Sequence, residues 1–169
     1  MATADWMTGH TVICGYGRVG SEVADTLKRE GLPYLVIEYN PAIVEDLQAQ
    51  GVPVIYGDAG NQTVLQHAHL DSAKLLTVLV PDPLTAELAT RSGRAVNPQL
   101  PILTRATDTA QADRLRQAGA SDVVQPEFEA GVAVLGYVLR QYGRTGPELG
   151  RVVMARKADF YKRGSSHVR

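Results

Sequence analysis

The chain alternates short apolar runs with longer segments in which apolar residues recur every three or four positions. A short continuous apolar run is typical of a strand buried on both faces, and the longer periodic segments predict helices. The alternation therefore predicts a parallel sheet with helices on both faces. The six runs lie at residues 11–14, 34–37, 54–56, 75–80, 102–104 and 123–124.

Six strands joined by helical crossovers are the content of a complete Rossmann fold, an α/β fold with a doubly wound parallel sheet. Because such crossovers are right-handed, we expect the spatial strand order 3-2-1-4-5-6. Glycine and proline mark the ends of the predicted helices. Gly31 and Gly51 follow the first two helices, and Pro41 and Pro83 stand in the first turns of the second and fourth.

The same pattern divides the chain into three parts. Residues 10–142 form the predicted Rossmann nucleotide-binding domain, which includes a C-terminal crossover helix. Residues 1–9 are short, polar and irregular, and predict a linker or an expression stub. Residues 143–169 are basic and rich in glycine and serine near their end, so they predict a connecting tail and not a second domain.

The helix predicted after the sixth strand is apolar on all sides. Phe128, Val132 and Leu135 share one face, while Tyr137 belongs to another. A helix that is apolar all round should be buried all round. One face can pack on the sheet, so the remainder needs a second partner. We expect a homodimer through helix 127–142, with burial inside the same chain as the alternative.

Composition excludes several classes of partner. The 169 residues carry a net charge of −1 with both signs interspersed, so the chain lacks the basic face that nucleic acid requires. Cys14, the only cysteine, indicates a reducing compartment and a buried thiol. No metal site is expected, because His67 and His69 have no acidic or cysteine companions. The chain shows neither a membrane span nor a secretory signal, so we expect a soluble cytoplasmic domain.

A glycine-rich loop joins the first strand to the first helix. It fits the pattern G-x-G-x-x-G, which in this context predicts a pyrophosphate site at the positive end of the helix. Gly15 would permit the tight turn, Gly17 the approach of the backbone to phosphate, and Gly20 the close packing of helix on strand. Arg18 either clamps a phosphate or is solvated. The whole motif is Gly15-Tyr16-Gly17-Arg18-Val19-Gly20.

An acid follows the second strand at the distance expected for ribose recognition. Glu38 lies about twenty residues past the loop, where a carboxylate accepts both ribose hydrogen bonds and repels a 2′-phosphate. The sequence therefore favours NAD(H), or another adenosine ligand without that phosphate, over NADP(H). A plain surface glutamate is the alternative. Tyr39, Val80 and Pro81 are included in the same predicted site.

Residues that could bind the nucleotide also follow the third and fifth strands. Asp58 and Ala59 follow the third strand, where an adenine would lie, and Asp58 would either contact the base amine or cap the next helix. Arg105 follows the fifth strand. Its guanidinium would either meet a phosphate or a second small anionic ligand, or form a salt bridge with Asp108 or Asp113.

These motifs resemble the nucleotide-binding lobe of the family that regulates potassium conductance, known as RCK, KTN or TrkA-N. The resemblance covers residues 11–142. The arginine-centred fifth strand and the helix that ends in Gln117-Ala118-Gly119-Ala120 are most similar to domains fused to Kef-type cation/proton antiporters. The matching segments are residues 15–20, Glu38, residues 56–59, 82–83, 102–108 and 115–120.

The resemblance implies a dimeric cytosolic sensor at the inner face of the cell membrane, attached through a transporter partner or fusion. It would bind NAD(H), AMP, ADP or ATP, and its ligand would bias two arrangements of the dimer that gate a membrane-embedded potassium channel or potassium/proton antiporter. Members often carry two acids and an asparagine where this chain has Pro81-Asp82 and Ala86. No carboxyl-terminal effector lobe is expected.

Two other functions fit the same motifs. A free-standing Trk-type nucleotide-binding subunit needs no fusion. A nicotinamide-dependent oxidoreductase needs a substrate domain that supplies a catalytic acid or base, and only residues 143–169 follow the predicted domain. We therefore expect a protein that is not an enzyme.

Overall fold

The computed structural model describes residues 7–165. Residues 1–6 of the predicted stub and residues 166–169 of the predicted tail lie outside the described residues. The strands are β1 (Thr11–Cys14), β2 (Tyr34–Glu38), β3 (Val54–Tyr56), β4 (Leu75–Val78), β5 (Ile102–Arg105) and β6 (Asp122–Val124). The helices are α1 (Arg18–Arg29), α2 (Pro41–Ala49), α3 (Gln62–His67), α4 (Pro83–Val96), α5 (Thr109–Ala118), α6 (Pro126–Gln141) and α7 (Gly146–Ser165).

The six strands form one parallel sheet in the order β3-β2-β1-β4-β5-β6. This confirms the predicted Rossmann fold and its strand order. The boundaries differ little from those predicted: β2 and β5 each extend one residue further, and β4 ends at Val78. Leu79 still donates a backbone hydrogen bond to the carbonyl oxygen of Cys14 (2.9 Å) before the chain turns toward α4.

Side chains alternate between two cores because successive residues of a strand point to opposite faces of the sheet. Val12 and Cys14 enter the larger core, which α3, α4 and α5 help to cover. Ile13 enters the smaller core with Ala24 of α1 and Leu47 of α2. The central strands are thus buried on both faces, as their continuous apolar runs predict.

The predicted connecting tail contains the long helix α7, which packs against α5 and α6. The Phe160 ring stacks on the Phe128 ring at the start of α6, with centroids 3.6 Å apart and planes 3° from parallel. Lys157 Nζ lies 2.6 Å from Glu129 Oε2, and the Tyr161 hydroxyl donates to Glu129 Oε1 (2.8 Å). α7 is therefore fastened to the first turn of α6.

The remaining surface of α6 is only partly covered. Val132 and Gly136 are buried, whereas Val134 and Tyr137 are each 63% exposed and Tyr142 is 79% exposed. Packing on α7 therefore covers part of this helix. The expected burial on every side is not reached within one chain.

Candidate nucleotide-binding site

Two glycines of the G-x-G-x-x-G motif, which spans the end of β1 and the start of α1, are required by the fold. Gly15 has a φ of +96°, and its N–H donates to the carbonyl oxygen of Ile37 (2.9 Å). A Cβ atom at Gly20 would lie 1.9 Å from the carbonyl oxygen of Gly15. A side chain at Gly20 would therefore push the helix away from the strand.

The third glycine is not required by the fold. Gly17 has a φ of −87°, and a Cβ atom there would meet no atom within 4 Å. It stands at the N-cap of α1, where no side chain accepts a hydrogen bond from the first turn. The loop therefore leaves open space directly in front of backbone N–H groups at the positive end of a helix.

This open helix start contrasts with those of four neighbouring helices. There the N-cap side chain accepts a hydrogen bond from the first turn, which satisfies one of the free donors. The capping residues are Asn40 for α2, Asn61 for α3, Asp82 for α4 and Asp108 for α5. Among the helices α1 to α6, the first turns of α1 and α6 are the two that no side chain caps.

Glu38 is held at the end of β2 by three backbone donors. Its Oε2 accepts a hydrogen bond from the N–H of Tyr16, and its Oε1 accepts from the N–H groups of Tyr39 and Asn40, each at 2.8 Å. The carboxylate thus joins the phosphate loop to the turn before α2. Since a carboxylate offers about four acceptor positions, roughly one remains for another donor.

The anchoring by Tyr16 shows that Glu38 is more than a solvated surface acid. Sequence reasoning placed this residue by its spacing from the loop and did not predict the backbone bonds. These hydrogen bonds could have been predicted from the position of the acid. A carboxylate at the end of a strand commonly accepts from the N–H groups of the next two residues when the chain turns there. The predicted contact with ribose stays a prediction.

Tyr39 and Tyr56 lie beside this acid with their rings facing each other. The ring centroids are 6.2 Å apart and the planes are 14° from parallel. The two residues are 68% and 57% exposed. The sequence predicts Tyr56 as the last residue of the third strand and not as a site residue.

The helix that follows β3 is capped by Asn61 and not by Asp58. Asp58 Oδ1 accepts from the N–H of Gly60 (2.8 Å), and Asn61 caps α3 by accepting from Thr63 (2.9 Å). The alternative in which Asp58 caps the helix is therefore wrong. Ala59 is 4% exposed and belongs to the larger core, so only its backbone faces the turn.

The remaining predicted residues surround the loop to different degrees. Val80 borders it directly, since its backbone nitrogen lies 3.2 Å from where a Cβ atom of Gly15 would be. Val19 is half-buried and packs against the smaller core. Arg18 and Pro81 are exposed. Whether Arg18 clamps a phosphate stays a prediction.

Arg105 forms neither of the two salt bridges considered for it. Asp108 Oδ1 accepts from the N–H of Gln111 (2.7 Å), and Asp113 pairs with Arg116 (3.1 Å). The Nε atom of Arg105 is buried, and within residues 7–165 it has no hydrogen-bond partner. The same holds for Oγ1 of the preceding Thr104. The end of β5 therefore carries two polar atoms that have no partners in the described part of the chain.

Neither a reactive thiol nor a metal site accompanies these residues in the described part of the chain. Burial raises the pKa of the Cys14 thiol to about 12, so this side chain is a neutral core residue, as predicted. Among the described residues, no group of three histidine, cysteine, aspartate or glutamate side chains is arranged to hold a metal ion. Nor does any helix between residues 7 and 165 combine the length and apolarity needed to cross a membrane.

A complete Rossmann sheet, a G-x-G-x-x-G loop before an uncapped helix and an anchored acid after β2 define the class of dinucleotide-fold domains. Comparison with known proteins narrows this class. The model of the TrkA-N domain matches residues 11–126, and the chain belongs to that family.

Relatives of known description support this membership. The K⁺ efflux antiporter KefB of Alkalimonas amylolytica is 31% identical over 153 residues, which are 90% of this chain and 23% of that protein. The crystal structure of the TrkA-N domain of the inner membrane protein ybaL from Escherichia coli has 34% identity and a TM-score of 0.73, covering 77% of this chain and 96% of that one.

A further structure shows the same fold at lower identity. It is the Shewanella denitrificans Kef CTD in AMP-bound form, with 23% identity, a TM-score of 0.77, and coverage of 92% of this chain and 94% of that chain. The present chain spans 23% of the length of this KefB and, likewise, 23% of the length of the cation/proton antiporter YbaL of Escherichia coli.

Proposed function

We propose that this chain is a regulatory domain that senses NAD(H) or an adenine nucleotide and controls a potassium channel or potassium/proton antiporter. The observation that carries the proposal is the open, uncapped start of α1 behind Gly17, directly beside the anchored carboxylate of Glu38. The first feature suits a phosphate and the second suits a ribose.

The ligand chemistry follows from these two groups. A phosphate in front of Gly17 would accept hydrogen bonds from the first turn of α1 and be stabilised by the positive end of the helix. The remaining acceptor capacity of Glu38 would bind a ribose hydroxyl, and its charge would repel a 2′-phosphate. We therefore propose NAD(H), AMP, ADP or ATP as the ligand. The AMP-bound form of the Kef domain supports this choice.

The link to ion transport rests on family membership and on relatives that are cation antiporters. By this proposal the domain lies on the cytoplasmic side of the membrane, attached to the transporter by fusion or by contact. The ligand changes transport only if it binds two arrangements of the assembly with different affinity. The bound nucleotide is then a signal, and no bond in it is made or broken.

The two arrangements would be those of a homodimer formed through α6. The exposed side chains of Val134, Tyr137 and Tyr142 give this helix an apolar surface that a second copy would cover. We also propose that a small anion binds at Arg105, whose buried Nε has no partner in the described chain. Both proposals follow from α6 and β5, and not from the phosphate loop.

Calorimetry with the purified chain tests the nucleotide proposal. We expect AMP, ADP, ATP, NAD⁺ or NADH to bind, and NADP⁺ to bind more weakly. Gly17→Asp should abolish binding, because a carboxylate would occupy the space in front of α1. Gly150→Asp is the matched control, since a Cβ atom at Gly150 also meets no atom within 4 Å. Unchanged nucleotide affinity in Gly17→Asp would remove the proposed site.

A second assay tests the absence of catalysis. The chain is incubated with NAD⁺ or NADH and a broad panel of alcohols, hydroxy acids and aldehydes, and absorbance at the NADH band is followed. We expect binding without turnover. Oxidation or reduction of the cofactor that Gly17→Asp abolishes would show an enzyme instead.

A further inference from the structure

The segment that contains α7 differs in charge from the rest of the molecule. Residues 143–169 contain seven lysine or arginine residues and two acids, whereas residues 1–142 contain ten and sixteen. The part of the chain that carries the nucleotide site is therefore acidic, and the segment with α7 is basic. Such an asymmetry favours contact of one end of a molecule with an anionic surface, because that surface attracts the basic end and repels the acidic body.

One face of α7 is turned away from the rest of the chain. Positions 151, 154, 155, 158 and 162 have the spacing of a single helical face, and all five residues are exposed. We call this set the α7 stripe. It combines positive charge with apolar surface and contains no acid, and the side chain at position 154 is 72% exposed. Its members are Arg151, Met154, Ala155, Ala158 and Lys162.

The other polar groups of α7 take part in contacts away from the stripe. The Arg156 guanidinium lies 5.3 Å from the centroid of the Phe128 ring on α6 and pairs with Asp159 (3.5 Å). Glu148, the second acid of the helix, pairs with Arg144. Packing on α6 therefore leaves the α7 stripe at the surface of the described chain.

A bilayer that contains anionic phospholipids matches both properties of the stripe. Its headgroups attract lysine and arginine, and exposed apolar side chains enter the boundary between headgroups and acyl chains. The phosphate backbone of a nucleic acid would match the charge, but it offers no apolar layer for the exposed side chain of Met154. The combination of charge and apolar surface therefore favours lipid.

We propose that the α7 stripe docks on the surface of a membrane that contains anionic phospholipids. The helix lies in the plane of the surface and does not cross the bilayer. Because the strength of such docking increases with the apolar area that enters the membrane, a stripe with one methionine binds weakly. The contact adds to the proposed attachment through a transporter and orients the domain. It goes beyond the proposed function, since it requires no nucleotide.

Co-sedimentation with vesicles tests the docking. The purified chain is mixed with excess vesicles of phosphatidylcholine alone, or of an equimolar mixture of phosphatidylcholine and phosphatidylglycerol. At low salt we expect binding to the mixed vesicles only. High salt should release the chain, because it screens exposed charges.

Two variants separate the charge of the stripe from its apolar contact. Arg151→Gln should weaken binding to the mixed vesicles by about fivefold, the loss expected for one cation near an anionic surface. Met154→Ser should weaken it by about threefold to tenfold, because less apolar area leaves water. Arg29→Gln and Leu32→Ser are the matched controls. They remove one exposed cation and one exposed apolar side chain outside α7, and they should leave binding unchanged.

A fluorescent label shows which part of the surface meets the membrane. Met154→Cys and Leu32→Cys are each labelled with a dye whose emission moves to shorter wavelength in an apolar environment. The native Cys14 is buried and does not compete for the dye. With mixed vesicles the emission should shift for the label at position 154 and not for the label at position 32.

Several results would overturn the proposal. They are equal binding to both kinds of vesicle, no binding at low salt, wild-type binding by Arg151→Gln and Met154→Ser, or no shift of the label at position 154. Binding of duplex DNA at a salt concentration that releases the vesicles would assign the stripe to nucleic acid instead. None of these results bears on the nucleotide site, which calorimetry tests separately.

Discussion

The two halves of the carboxyl edge of the sheet differ in how far one chain satisfies its own polar groups. In the half formed by β1, β2 and β3, Glu38 accepts three backbone hydrogen bonds. In the half formed by β4, β5 and β6, Thr104 Oγ1 and Arg105 Nε are buried without partners among the described residues. An unpaired buried polar atom costs about 1 to 3 kcal/mol.

The first half is therefore organised before any ligand binds, whereas the second leaves two buried polar atoms unpaired within residues 7–165. An organised site loses little entropy on binding, which suits recognition of a nucleotide. An incomplete site gains most when a ligand or a second copy supplies the missing partners. α6 directly follows β6, so a dimer formed through α6 would bring a second copy toward this incomplete half.

The largest expected effect in the first half comes from adding a side chain at Gly20, where α1 lies in close contact with the phosphate loop. Gly20→Ala should lower the free energy of unfolding by about 3 kcal/mol or more, because its Cβ atom would lie 1.9 Å from the Gly15 carbonyl oxygen. Gly17→Ala should cost no more than about 1 kcal/mol and should instead weaken nucleotide binding. Urea unfolding and calorimetry check both. Equal loss of stability in the two variants would contradict the separate roles.

The second half is tested through α6. Tyr137→Glu should convert a dimer into monomers, because a carboxylate in an apolar interface loses its hydration without a partner. Light scattering over a range of protein concentrations measures this. Leu32→Glu is the control, since it adds the same charge at a similarly exposed apolar position elsewhere. A wild-type chain that is monomeric throughout the range would rule out this interface.

Glu38→Gln measures how much the first half depends on its carboxylate. One oxygen becomes an NH₂ group that faces backbone N–H donors, so we expect a loss of about 1 to 3 kcal/mol in the free energy of unfolding. Glu45→Gln, on the exposed face of α2, should stay within about 0.5 kcal/mol of the wild type. A loss no larger than that of the control would show that the three bonds do not organise the loop.

Arg105→Met tests the second half in the same way, through the free energy of unfolding. In the ligand-free chain it should not lower the free energy of unfolding, because it removes a buried donor that has no partner within residues 7–165. Methionine keeps much of the length of the side chain. Urea unfolding should therefore rank Arg105→Met clearly below Glu38→Gln. The reverse ranking would mean that Arg105 is already paired.

The smallest effect concerns the cap of α4. Hydrogen bonds from the backbone and side chain of Thr85 lower the pKa of Asp82. A carboxylate with a lowered pKa stabilises the fold above its unfolded pKa, and this contribution disappears as the pH falls through the folded pKa. Asp82→Ala should therefore lower Tm at pH 7, with a difference that shrinks below about pH 4. Asp82→Asn, which keeps an acceptor oxygen, should show less of this pH dependence.

Much of the fold could be predicted from the sequence because its strands are continuous apolar runs. A strand such as Leu75–Val78 is buried on both faces, so its composition alone distinguishes it from the helices around it. The phosphate loop could be predicted because its chemistry depends on glycines at fixed spacing. Gly15 and Gly20 have the geometry that this spacing requires.

Other features depend on contacts that spacing does not encode. The position of α7 depends on Phe160 stacked on Phe128 and on Lys157 paired with Glu129. In each pair the two residues are about thirty positions apart and lie in different helices. The exposure of Tyr56 is likewise a property of the edge of the sheet. The backbone bonds of Glu38 required the exact course of the neighbouring turn.

Cys14 gives this molecule an internal reporter. The thiol is fully buried at the end of β1, immediately before Gly15, and burial raises its pKa to about 12. An alkylating reagent reaches it only when the centre of the sheet opens, and the native thiol contributes almost no reactive thiolate at neutral pH. Because it is the only cysteine in the chain, the rate of its labelling reports local opening beneath the phosphate loop. A bound nucleotide that stabilises the loop should slow that rate without any probe being introduced.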